Sequence, residues 1–199
     1  MPAIGITGGV ATGKTSFCDC LREILPRAKF FDADKAARAL VDLDQKVKRE
    51  LRSEFGDEVF SPGGDLNRAV LRAIVFASAT KKAALEKILH PRIRRQWSAE
   101  AQIHRNSSDF FFADIPLLYE TGGETLCDRV VVVACAPGIQ TERLLTRGGI
   151  DRAVAQGIMN SQMPLADKIA RADHVVWNDG AGALLVEQAR MLVDLWREE

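Results

Sequence analysis

Gly8-Gly9-Val10-Ala11-Thr12-Gly13-Lys14-Thr15 sets two glycines, a lysine and a hydroxyl in the order G-x-x-x-x-G-K-T. This P-loop order suits the capture of a nucleoside triphosphate. Backbone N–H groups of the turn and of the following helix start wrap phosphate oxygens, and the helix dipole adds to the attraction. Gly8 and Gly13 let the chain turn and approach the phosphates without a Cβ in the way. Gly9, Ala11 and Thr12 supply further backbone to the cradle. Lys14 offers a mobile charge for the β and γ phosphates, and the Thr15 hydroxyl is placed to ligate Mg²⁺. Ser16 follows as a donor for the α-phosphate.

Other residues could complete a phosphoryl-transfer site. Asp32-Ala33-Asp34 closes an apolar run, and ligands of open α/β sheets bind beyond the carboxyl ends of strands. In an extended segment residues two apart share a side, so both carboxylates would face one space. Asp34 is then the acceptor of a substrate hydroxyl proton. Asp32 fits either a second site acid or the cap of a following helix. Phe110-Phe111-Phe112-Ala113-Asp114 is an apolar strand ending in an acid, so Asp114 can hold Mg²⁺ directly or through water. Leu117 and Leu118, just beyond it, wall a substrate pocket or join the core. Arg143 and Arg147 are four apart on one helix face, before a glycine pair where a lid could hinge. They suit a base or the γ-phosphate charge. His90-Pro91 looks like a helix start. The arginines after it, Arg92, Arg94 and Arg95, suit either phosphates of a second substrate or a solvated face.

These residues need a scaffold, and apolar strand candidates alternate with helical patterns as in a parallel sheet covered on both faces. Strands are expected at Ala3–Thr7, Lys29–Asp32, Phe110–Asp114, Arg129–Ala134 and His174–Trp177. Val130-Val131-Val132-Val133 has no alternation, as a central strand requires. Residues 35–109 hold no convincing strand. They read as helices near Gln45–Phe55, Leu66–Ala77, Lys82–Leu89 and Pro91–His104, with Asp65 as a possible cap for the second. A crossover of that length is a helical insertion rather than a simple βαβ link. Residues 138–172 are again helical, broken near Gly148 and Pro164, and a last amphipathic helix covers 183–197.

Composition narrows the class. Of 199 residues, 47% are hydrophobic and 27% charged, as in one ordinary globular domain. The 27 basic and 27 acidic residues cancel, which argues against a broad nucleic-acid surface. No run is long enough to span a membrane, and the first strand begins too early for a signal peptide, so a cytoplasmic protein is expected. The four cysteines lack metal or disulfide spacing and read as reduced packing residues. Asp114-Ile115-Pro116-Leu117 and Asn178-Asp179-Gly180-Ala181 fit neither D-x-x-G nor N-K-x-D, so a GTPase switch is disfavoured. A kinase for another small hydroxyl compound, such as a nucleoside, stays open on these residues.

Together the residues resemble the dephospho-CoA kinase family. The likeness runs through Thr7-Gly8-Gly9…Gly13-Lys14, Asp32-Ala33-Asp34…Arg38, His90-Pro91…Arg94 and Asp114-Ile115-Pro116-Leu117-Leu118-Tyr119-Glu120. It continues through Gln140…Arg143…Arg147, Gln162, and Lys168…Ala172-Asp173…Asn178-Asp179-Gly180. The resemblance implies a P-loop NTPase fold with a five-stranded parallel core at 1–34, 108–137 and 173–199. It implies a helical CoA insertion at about 35–107 and a lid at about 138–172. It also implies transfer of the ATP γ-phosphoryl group to the ribose 3′-hydroxyl of dephospho-CoA with Mg²⁺, by a monomer or small homo-oligomer. Carried over, Asp34 is the base, and Arg143 and Arg147 act from the lid. Asn178 and Gly180 lie near adenine, and Arg38, His90 and Arg94 serve the dephospho-CoA side. One departure stands out: the family usually has glycine at position 11 and serine at 12, where this chain has Ala11 and Thr12. A negative φ is expected at Ala11.

Overall fold

The computed structural model describes residues 2–105, 107 and 109–198. It divides into two compact units, 32–99 and the remainder.

The larger unit is built on a sheet. β1 (Ala3–Gly8), β2 (Lys29–Asp32), β3 (Phe111–Asp114), β4 (Arg129–Ala134) and β5 (His174–Trp177) form a five-stranded parallel sheet in the order β2-β3-β1-β4-β5. Every residue of β1 and β3, and all of β4 after Arg129, is buried, because helices and loops cover both faces. β1 pairs Ile6 with Asp114 of β3 and Gly8 with Val133 of β4. One face carries α1 (Lys14–Ile24) and α9 (Gly182–Glu198). Phe17 and Leu21 of α1 and Leu185, Ala189, Val193 and Trp196 of α9 pack on Ile4, Ile6, Phe112, Val131 and Val176. On the other face Gly5 is needed, because a Cβ there would strike Leu118 and Cys127. Between β4 and β5 run α6 (Pro137–Gly148), α7 (Arg152–Asn160) and α8 (Leu165–Ala170). α6 stops at Gly149, whose φ of 55° suits a glycine cap, and α8 follows Pro164. All four cysteines are free thiols.

The smaller unit is helical: α2 (Ala33–Leu43), α3 (Gln45–Phe55), α4 (Arg68–Ala77) and the larger part of α5 (Ala79–His104). Leu40, Val47, Leu51, Phe55, Val59 and Leu71 make its core. α3 has the expected bounds. Three expectations need correction. The extended reading of Asp32-Ala33-Asp34 gives way to its alternative: Asp32 caps α2 by accepting from the Lys35 N–H at 2.9 Å, so the chain turns helical at Ala33. α4 is capped by Asn67 rather than Asp65 and begins two residues late. The two helices expected either side of His90-Pro91 are one, with Pro91 inside α5. Proline withholds a donor from the preceding turn. The carbonyl that loses its donor is that of Lys87, four residues back; the Arg92 guanidinium, ion-paired with Glu50 at 2.7 Å, donates instead to the neighbouring Ile88 carbonyl at 2.5 Å.

Candidate active site

The loop between β1 and α1 is a tight turn followed by an uncapped helix start. Thr12 N–H donates back to the Gly9 carbonyl at 3.4 Å, which makes residues 9–12 a four-residue turn. Ala11, its third residue, has φ of 59°, the only positive φ at a non-glycine among the described residues. A negative angle was expected, and the turn explains the difference. With Val10 at negative φ, the φ signs are those of a type II turn, whose third position favours glycine. Alanine in this region is held against a cost of about 1–2 kcal/mol. Gly13, with φ of 93°, then enters α1, and no side chain caps that helix. A Cβ on Gly13 would strike the Asn178 amide. The first N–H groups of an α-helix lack partners within the helix, so they are the donors this site offers to an anion.

The carbonyls of the loop are all turned onto protein donors. Gly8 O accepts from Lys168 Nζ at 3.3 Å, Gly9 O from Thr12 Oγ1 at 2.9 Å, and Val10 O from Gln140 Nε2 at 2.7 Å. Ala11 O accepts from Arg143 Nη1 at 3.4 Å. Thr12 O accepts from the same nitrogen at 3.2 Å and from Asn178 Nδ2 at 2.9 Å. Val10 N–H donates to Gln162 Oε1 at 3.1 Å, so two glutamines hold both sides of one residue. A peptide's C=O and N–H point oppositely, so with the Val10 and Thr12 N–H groups spent on Gln162 and on the Gly9 carbonyl, the anchored carbonyls turn the N–H groups of Gly9, Ala11 and Gly13 to the opposite side.

This arrangement changes the role of Arg143. Its Nη2 also donates to Asn178 O at 2.8 Å, so the guanidinium binds three carbonyls and clamps the loop to the end of β5. Arg147, one turn further along α6, is exposed in the helix's last turn. Asn178 is likewise committed to the loop through Thr12, whereas Gly180 lies exposed in the turn before α9.

Lys14 and Asp114 are brought together as an ion pair, with side chains 14% and 10% exposed. Thr15 and Ser16 are exposed at the start of α1. A carboxylate and a hydroxyl are the hard oxygen donors that Mg²⁺ takes when it binds through few protein ligands. Leu118 is fully buried over Gly5 and Gly123, which corrects its reading as a pocket wall; Leu117 is half-buried.

The remaining expected site residues belong to the smaller unit. Asp34 lies exposed in the first turn of α2, so the argument from an extended segment does not hold. Arg38 is exposed one turn later on the same helix. His90 and Arg94 are half-buried and four apart on α5. Burial holds the His90 imidazole below its ordinary pKa, with Glu86 opposing.

The braces were missed at the sequence level. Gln140 (6% exposed), Gln162 and Lys168 (0% exposed) have no local pattern separating them from surface residues. Their one signal was their place among the residues carrying the family resemblance.

Comparison with known proteins agrees with the geometry. The family model for dephospho-CoA kinase matches residues 2–183. A dephospho-CoA kinase of Anaeromyxobacter dehalogenans is 43% identical over 197 residues, covering 98% of this chain and 92% of its own. A Thermus thermophilus protein of known crystal structure superposes with a TM-score of 0.79 at 30% identity, covering 96% of this chain and 95% of that one. The dephospho-CoA kinase from Campylobacter jejuni has the same fold, with a TM-score of 0.73 at 23% identity over 96% and 95% of the two chains.

Proposed function

The chain belongs to the dephospho-CoA kinase family, and on that premise we propose that it transfers the γ-phosphoryl group of ATP to the ribose 3′-hydroxyl of dephospho-CoA. The products are coenzyme A and ADP. The observation that carries the reading is the loop of residues 8–12, whose carbonyls are all held by protein donors beside Lys14.

In this reading the N–H groups of the loop and the start of α1 bind the phosphate oxygens of ATP, and Lys14 leaves Asp114 to meet the β and γ phosphates. Asp34 accepts the proton of the 3′-hydroxyl as that oxygen bonds to the γ phosphorus, and the bridging oxygen leaves with ADP. Arg147 neutralises charge on the phosphoryl group in flight, whereas Arg143 acts through the loop. Arg38, His90, Arg94 and Leu117 are assigned to the dephospho-CoA side and Gly180 to the adenine side. Thr15 and Asp114 would hold Mg²⁺, directly or through water, and the ion would neutralise charge on the phosphates. Residues of about 138–172 are assigned to a lid region that excludes water from the γ-phosphoryl group.

The test is an assay for ADP and coenzyme A formed from ATP and dephospho-CoA, with uridine, adenosine and AMP as competing acceptors. Phosphorylation of a nucleoside with dephospho-CoA left untouched would overturn the reading.

A further inference from the structure

Lys168, on α8, has no exposed surface. Its Nζ donates to Gly8 O at 3.3 Å and to Pro116 O at 2.9 Å, and it pairs with Glu120 Oε1 at 2.9 Å. An ammonium has three N–H donors, and three acceptors converge on this one. Gly8 ends β1 and opens the phosphate loop; Pro116 lies two residues past Asp114. Thr7 Oγ1 also donates to Pro116 O, at 3.0 Å. Glu120 Oε1 in turn accepts from the Met163 N–H at 2.9 Å, ahead of α8.

A buried lysine is a poor choice if packing alone is at stake, because an apolar side chain of similar size fills space without losing hydration. Burial pushes the Lys168 pKa down, and Lys14, a like charge on α1, acts in the same direction. Glu120, from the β3–β4 connection, opposes both. What only an ammonium provides here is a single point joining the first loop carbonyl to the segment that carries Asp114.

We propose that Lys168 is a positioning residue for phosphoryl transfer: it sets the spacing between the phosphate loop and the Asp114 segment and places a fixed positive charge behind Gly8. It touches neither substrate. The proposal rests on the loop being the ATP site.

The test uses full-length protein and compares wild type, Lys168→Met and Lys168→Arg by ADP titration calorimetry, steady-state kinetics and thermal melting. Lys168→Met should weaken ADP binding and lower kcat by about tenfold or more, the weight of lost charged hydrogen bonds. KM for dephospho-CoA should stay within about twofold. Lys168→Arg should not restore function, because a planar fork cannot meet three acceptors converging on one nitrogen. A Lys168→Met protein that melts lower but keeps ADP affinity and kcat within about twofold makes Lys168 a brace only and overturns the proposal.

Should Lys168→Met fail to fold, Glu120→Gln keeps an acceptor for Lys168 but removes its countercharge. Lys168 then loses its proton at lower pH than in wild type, and ADP affinity should fall at correspondingly lower pH. A pH profile that overlays wild type from about neutral to about pH 10 would overturn the proposal. Wild type that does not bind ADP at all would defeat the proposed function itself.

Discussion

The ammonium of Lys14 rests on the carboxylate of Asp114, joining the start of α1 to the end of β3. Both side chains are largely buried, so each neutralises a charge the other could not leave bare. In the proposed reaction the nucleotide draws Lys14 off this carboxylate, and a cation placed on Asp114 would make that exchange easier. Asp114→Asn should remove the competition. Metal-free ADP should bind this variant at least as tightly as wild type, while turnover with MgATP should fall by about 10²-fold or more. Titrations with EDTA and with Mg²⁺ separate the two effects. Equal weakening in both would mean that Asp114 shapes the loop rather than balancing its charge.

Ala11 gives the next prediction. It occupies a turn position that favours glycine, and its φ of 59° is maintained by neighbours whose carbonyls are anchored. Ala11→Gly should relieve about 1 kcal/mol of strain and raise the melting temperature by about 2 °C. Because the anchors stay in place, ADP affinity should change by less than about threefold. A fall in melting temperature on scanning calorimetry would show that the turn is not strained.

The outcome at Ala11 shows where sequence reading works and where it stops. β4 was legible because a run of four β-branched valines with no alternation favours a strand buried on both faces. α3 was legible from its apolar spacing, with Asp44 accepting from Lys46 and Val47 at its cap. The start of α2 was legible only as one of two readings of Asp32, second site acid or helix cap, and the structure takes the cap, which ends the extended reading of Asp34. Pro91 read as a helix start because proline usually marks one; that α5 runs on through it is decided by packing and not by the local sequence. In the site, the loop and Asp114 were readable as contiguous motifs. Gln140, Gln162 and Lys168 were not, because each meets backbone atoms 130 to 160 residues away, and a backbone atom leaves no mark in a sequence.

Arg143 and Arg147 share a face of α6 yet should fail differently. Arg143→Ala strips donors from Ala11, Thr12 and Asn178, so it should lower both the melting temperature and ADP affinity, the latter by about tenfold. Arg143→Lys should not restore either, since one ammonium cannot reproduce the fork. Arg147→Ala should leave melting and ADP affinity near wild type and reduce kcat. Melting curves and single-substrate titrations on the two variants are enough to tell them apart; matching profiles would mean the two arginines share one role.

Acid should weaken the protein partly through His90. Burial lowers its folded-state pKa below the ordinary value of 6.5. As pH drops through that value the unfolded chain takes a proton that the folded one resists, so stability declines from there down to the folded-state pKa and is level above. His90→Gln should flatten that decline. Urea unfolding at about pH 7.5 and about pH 5 measures the difference, and an equal acid loss in both proteins would clear His90 of any part in it.

Asp34 carries the chemical step in the proposed reaction, and its place in the first turn of α2 makes the substitution clean. It is exposed, and the α2 cap is supplied by Asp32, so Asp34→Asn should keep the fold. Losing a general base lowers turnover by about 10²- to 10⁴-fold. The fall should appear in kcat, with ADP affinity unchanged, because the phosphate loop is intact. A variant with near-normal turnover would mean that the hydroxyl proton leaves by another route, and Asp34 would then serve only binding or the helix start.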